Sequence, residues 1–200
     1  MDSIVDIKTK NYKARLSRYY RLVSWAPQKD RLIKAFERLD GNSEFIDALY
    51  CSYDGEHRHI QLHSGTHFIG TKLNSKPVKE SGAAIVVTQL STGEVSVTFY
   101  PFKSEVLSPG EKYLVWSILE SPNELYPAKI QKIIEDFFAY SRFTSSCMNE
   151  SFMDRMTVKT MQWKSKRYRQ SNRLTNALLD NWLLAVVGFI GSICSIVSVL

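Results

Sequence analysis

The stretch AAIVVTQLSTGEVSVTFYPF, residues 83–102, decides the fold of this 200-residue chain. Two apolar-rich runs flank Ser91-Thr92-Gly93, and in the second Val95, Val97 and Phe99 alternate with Ser96 and Thr98. A period of two sends successive side chains to opposite faces, which makes this run a half-buried strand. Short strands joined by a tight turn pair antiparallel, because parallel pairing needs a long crossover.

Working outward towards the N-terminus, runs 44–53 and 56–63 flank Asp54-Gly55, a dipeptide suited to a two-residue type I′ hairpin turn. A third run, 66–73, follows Ser64-Gly65, and the polar NSKPVKESG at 74–82 reads as a loop. Further upstream, Leu16, Tyr19, Tyr20 and Val23 have helical spacing among several cations. Pro27 ends that helix, and a second one carries Leu32, Ile33, Phe36 and Leu39 on one face, with Gly41 beyond its end. The aromatic, basic face of the first helix can lie on a membrane surface. Packing against the domain is the commoner fate of such a face and is the expectation here.

Working towards the C-terminus, 112–119 reads as another strand. The period then changes, with Ile130, Ile133, Ile134, Phe137 and Tyr140 at helical spacing and Pro127 in the first turn. That helix is expected to cover one face of the sheet. Residues 144–152, TSSCMNESF, read as a linker, and 153–187 contain neither Gly nor Pro, as a continuous stalk would.

The chain ends on WLLAVVGFIGSICSIVSVL, residues 182–200, with no charged side chain. As a helix it is about 28 Å long, close to the hydrocarbon thickness of a bilayer. Seven cations, Arg155, Lys159, Lys164, Lys166, Arg167, Arg169 and Arg173, precede it with no acid among them. Positive charge stays cytoplasmic, so the expected topology is a single C-terminal anchor with the folded part in the cytoplasm. In a bacterium this would be the inner membrane. Trp182 would sit at the near interface. The start of the chain lacks the apolar run of a signal peptide, which fits that topology. Lys164, Lys166, Arg167, Arg169 and Arg173 would face anionic headgroups. The segment KSKRYR, with its Tyr168, also has a nucleic-acid look, but its place before a span already accounts for it. Nucleic acid is therefore not an expected partner.

Within the span, Ala185, Gly188, Gly191, Ser192 and Ser195 are small. Gly188–Ser192 and Gly191–Ser195 are small-xxx-small pairs, which let helix backbones approach in lipid. Self-association is the expected consequence.

The fold class is thus α+β: N-terminal helices, an antiparallel sheet of five to seven strands with a covering helix, and a long C-terminal helix ending in one span. The divisions are 1–41 (basic helices), 42–145 (soluble domain), 146–181 (basic stalk) and 182–200 (anchor). Charge follows this division. Residues 7–39 hold ten Lys and Arg against Asp30 and Glu37, whereas 40–154 hold nine against fifteen acids. Cys51, Cys147 and Cys194 form neither a CxxC pair nor an even framework, as expected of reduced thiols.

All four histidines fall within HRHIQLHSGTH, residues 57–67. On a strand His57, His59, Gln61 and His63 share a face, opposite Arg58, Ile60 and Leu62. His57, Arg58, His59 and His63 are the candidate residues for a small anionic ligand. An HxH pair can also bind a transition metal with Asp54, Glu56 or His63 as a third ligand. Neither a cysteine pair nor HExxH reinforces that, and no nucleotide or catalytic motif is present, so no metal, cofactor or catalytic residue is expected. The leading function is a membrane-tethered sensing or binding protein that recognises a small anionic ligand or a protein and clusters through its span. Such clustering would disturb the membrane, as a bacterial defence effector does. The second reading is a membrane-bound, metal-dependent hydrolase using His57, His59 and His63, and the third is a non-catalytic adaptor.

Overall fold

The computed structural model describes residues 2–39, 49–73, 76–104 and 110–170. The protein is α+β, built from helices and antiparallel sheets. In chain order the elements are α1 (Asp2–Val23), α2 (Trp25–Glu37), β1 (Leu49–Asp54), β2 (His59–Ser64), β3 (Thr66–Leu73), β4 (Lys76–Ser81) and β5 (Ala84–Gln89). They continue with β6 (Val95–Tyr100), β7 (Lys103–Ser104), β8 (Leu114–Leu119), α3 (Pro127–Thr144) and α4 (Phe152–Gln170).

The hairpin of β5 and β6 lies at the centre of a five-stranded sheet of order β1-β2-β5-β6-β8. Its turn depends on Gly93, whose φ of 87° suits glycine and whose missing Cβ would lie 2.6 Å from the Arg21 Cβ. The inward residues Ile60, Leu62, Ile85, Val87, Val97, Phe99 and Leu114 are all fully buried. Helix α3 covers this face, with Phe137 edge-on to Phe99 at 5.7 Å between ring centroids and Tyr140 at 5.9 Å from the same ring. Leu32 and Phe36 of α2 join the same core. Each such side chain contributes about 2 kcal/mol by leaving water.

Four features differ from the sequence expectation. First, 76–81 is not loop: β4 is the middle strand of a second sheet, order β3-β4-β7, and buries Val78 and Glu80. Pro77 pairs with Lys72 beyond the stretch of β4 that meets β7, so its lack of an N–H costs little. The chain crosses between the sheets at Gly82, where a Cβ would stand 2.1 Å from the Ser64 carbonyl oxygen.

Second, β1 and β2 are not joined by a two-residue turn. Residues 55–58 form the loop, because the Asp54 carboxylate accepts the backbone N–H of Glu56 at 2.9 Å and of His57 at 3.1 Å. Arg58 takes the left-handed conformation, φ 50°.

Third, the aromatic face of α1 does not pack on the domain. Tyr12, Leu16, Tyr19, Tyr20 and Val23 are all exposed, Tyr19 at 59 % and Tyr20 at 58 %. The helix is held mainly at its end, where Gln89 Nε2 donates to the carbonyls of Arg21 and Leu22 and Arg18 Nε donates to that of Ser91.

Residues 144–170 are also more closely attached than a linker and stalk would be. Ser151 and Asp154 form a capping box at the start of α4, with Ser151 N donating to Asp154 Oδ2 at 2.9 Å and Asp154 N to Ser151 Oγ at 3.1 Å. Arg142 of α3 grips the same carboxylate with two hydrogen bonds, of 2.7 and 3.0 Å. Val158, Met161 and Ser165 are buried, and Ser165 Oγ accepts the Val115 N–H, occupying a donor on edge strand β8. At that edge the register passes over Trp116, whose indole donates to Asp136 of α3 at 2.8 Å.

Among the described residues no helix is long and apolar enough to cross a membrane. The expected span, with Trp182, Ala185, Gly188, Gly191, Ser192 and Ser195, lies outside them, as do Arg173 and Gly41.

Candidate functional site

The histidine strand is placed by its apolar residues. Ile60 and Leu62 are buried in the core, so His59, Gln61 and His63 are turned to the opposite face of the sheet. There the register sets His63 between Tyr50 and Ala84, Gln61 between Ser52 and Val86, and His59 between Asp54 and Thr88. Ser96 and Thr98 extend this face on β6, their hydroxyl oxygens 3.4 Å apart.

His57 does not belong to the strand. It sits in the loop, where Nδ1 lies 2.7 Å from Asp54 Oδ2. That hydrogen bond raises the imidazole's pKa and lowers the carboxylate's, so the two neutralise each other. The His57 ring still comes within 6.2 Å of His59, centroid to centroid. His59 and His63 are both displaced downward by desolvation, and near neutral pH both are uncharged. His63 stacks at 5.6 Å on Tyr50.

Arg58 stands on the other side of the strand start. Its Nη1 donates to Gln89 Oε1 at 3.3 Å, and its carbonyl accepts the Gln89 N–H. The four residues singled out in the sequence are therefore not one cationic cluster. The face presents neutral imidazoles and an amide along β2, with the His57–Asp54 pair at the loop end and Arg58 turned to the other side. His59 and His63 are about 13 Å apart along the strand, too far to share one metal ion.

The basic flank is placed as far as Arg169. Lys164, Lys166, Arg167 and Arg169 are exposed on α4; Arg167 stacks on Trp163 at 3.8 Å, and Arg169 reaches the Tyr113 carbonyl. A groove of about 470 Å3 runs beside α1, with Lys13, Leu16, Tyr20, Arg21 and Asn123 in its wall.

One group of metal-ligating side chains has no counterpart in the sequence reading. His67 of β3, Glu80 of β4 and Cys147 after α3 bring their ligand atoms within 4.8 Å of one another. The positions are too far apart in the chain for any spacing motif to reveal them. No family model, curated protein or solved structure matches this chain. Its function is read from its own residues.

Proposed function

We propose that the protein is a single-pass, membrane-tethered binding module whose folded part lies on the cytoplasmic side and recognises a small ligand on the outer face of β2. The observation that carries this reading is the uncharged run 182–200 behind seven cations at 155–173. Two features of the folded part support it. The exposed tyrosines and leucine of α1 stand among Lys10, Lys13, Arg15 and Arg18, a composition suited to the headgroup boundary of an anionic bilayer. The cations of α4 are exposed on the helix that leads towards the apolar run.

The ligand part of the reading rests on chemistry. A small polar molecule meets His59, Gln61 and His63 along the strand and the His57–Asp54 pair at its end, while Arg58, held by Gln89, stands on the other side. Close approach through Gly188, Gly191, Ser192 and Ser195 would assemble copies in the membrane and make ligand occupancy a signal or a membrane disturbance.

Placing arginine at both Val186 and Ile190 tests the anchoring. Each central arginine costs insertion about 3 kcal/mol, so the double variant is expected in the supernatant after alkaline carbonate extraction, with the parent in the pellet. A parent protein that is itself extracted by carbonate ends the proposal.

A further inference from the structure

We propose that His67, Glu80 and Cys147 form a site for a divalent transition ion of the zinc type, with one coordination position open to solvent. The cluster is independent of the β2 face and of the membrane reading. His67 and Glu80 are direct cross-strand partners on β3 and β4, and Nε2 stands 3.1 Å from Oε2. The imidazole is oriented by Phe102, edge-on at 5.8 Å between centroids.

Glu80 is only 1 % exposed, and its carboxylate is held in place. Ser145 Oγ donates to Oε2 and the Ser146 N–H to Oε1, each at 2.8 Å. Ser145 Oγ also accepts the Cys147 N–H at 3.1 Å, so the residue that orients the carboxylate also positions the cysteine. Such outer partners are what fix ligands around a metal.

The donor set selects the ion. Imidazole nitrogen with thiolate sulfur favours zinc, cobalt or nickel over magnesium and calcium, which want oxygen alone. One thiolate and one carboxylate cancel the two positive charges, so a filled site is neutral, as its buried half requires. Tetrahedral zinc with bonds of about 2.0–2.3 Å places its ligand atoms roughly 3.2–3.7 Å apart. The histidine–glutamate pair, at 3.1 Å, lies just short of that spacing. Cys147 is exposed, and closing in by about an ångström completes three ligands and leaves the fourth place to water. The ion would staple the β3–β4 hairpin to the segment leaving α3.

The test uses the full chain in detergent, with Cys51→Ser and Cys194→Ser leaving Cys147 as the single thiol, titrated with Co2+ under reducing conditions. Expected are one Co2+ per chain, a near-ultraviolet thiolate-to-cobalt charge-transfer band that Zn2+ erases, and a rise in melting temperature. Adding Cys147→Ser, a change at an exposed position, is expected to remove the band and weaken binding about tenfold or more. Glu80→Gln should weaken binding while keeping the band. Less than one ion per chain in the single-thiol protein would leave a plain His67–Glu80 contact beside a thiol and overturn the site. So would a band and affinity indifferent to Cys147→Ser.

Discussion

Helices α1 and α3 both carry an aromatic and aliphatic face at helical spacing, yet one face is bare and the other lies at the centre of the molecule. In α3, Ile133 and Phe137 are fully buried and Tyr140 is 1 % exposed. In α1, Leu16 is the most sheltered of the five large apolar residues on its exposed face and is still 38 % exposed. Periodicity shows that a helix has a face. It does not show what the face meets. Charge is what separates the two: α1 surrounds its face with cations, whereas α3 exposes Lys132 and Glu135 on its outer side and keeps its buried Asp136 paired with Lys132 and the Trp116 indole.

Phe137 should show the largest difference between the two helices. Phe137→Ala removes a ring from between the sheet and its covering helix and should cost about 3–5 kcal/mol in denaturant unfolding. A cost below about 1 kcal/mol would mean that α3 is no more anchored than α1.

Next in size is Asp154→Asn, which leaves Arg142 and the α4 cap without their carboxylate. The expected cost at neutral pH is about 2–4 kcal/mol. Hydrogen bonding from Arg142 holds the Asp154 pKa down to about 2, below its ordinary 3.8. Its contribution is therefore present above the ordinary value and lost as pH falls through the folded one. The parent should lose stability across that window, and the variant should show a flatter profile there.

A smaller effect belongs to the histidine face. His59 and His63 bind protons less readily folded than unfolded, so stability is full above their ordinary 6.5 and declines as pH falls below it. His63→Gln should reduce this slope between neutral pH and pH about 5, measured by thermal melting. An unchanged slope would mean that His63 is solvated like an ordinary surface imidazole.

The smallest expected change in stability is that of Tyr19→Ser with Tyr20→Ser, within about 0.5 kcal/mol, because both rings are already in water. The functional contrast should be large. In reconstituted full-length protein, trypsin should cut α1 slowly in anionic bilayers and rapidly in zwitterionic ones, and the double variant should be cut rapidly in both. Equal cleavage of the parent in the two lipids would remove the membrane role of this face.

Much of the central architecture is legible locally. The alternation of Val95, Val97 and Phe99, the Gly93 turn and the face from Ile130 to Tyr140 each lie within one short window and point the same way. Misreadings arise where a polar residue faces inward. Lys76–Ser81 has the composition of a loop, but Glu80 is accommodated by Ser145 and Ser146, 65 and 66 positions away. Helix α4 keeps Asp154, Val158, Met161 and Ser165 on its buried side, a true helical stripe in which half the residues are polar. The β1–β2 connection departs from a two-residue turn because Asp54 bonds its own following backbone, which moves His57 off the strand.

The amino-acid sequence alone therefore established the antiparallel hairpin at 83–102, the apolar faces of α2 and α3, and an apolar terminus preceded by cations. These are properties of neighbouring residues, carried by period and charge. Tertiary structure decided that α1 stays uncovered, that β4 is a strand, that α4 seals β8, and that His67, Glu80 and Cys147 converge. Each depends on a partner far along the chain, and a buried polar side chain is tolerated only where such a partner supplies the hydrogen bond that water has given up.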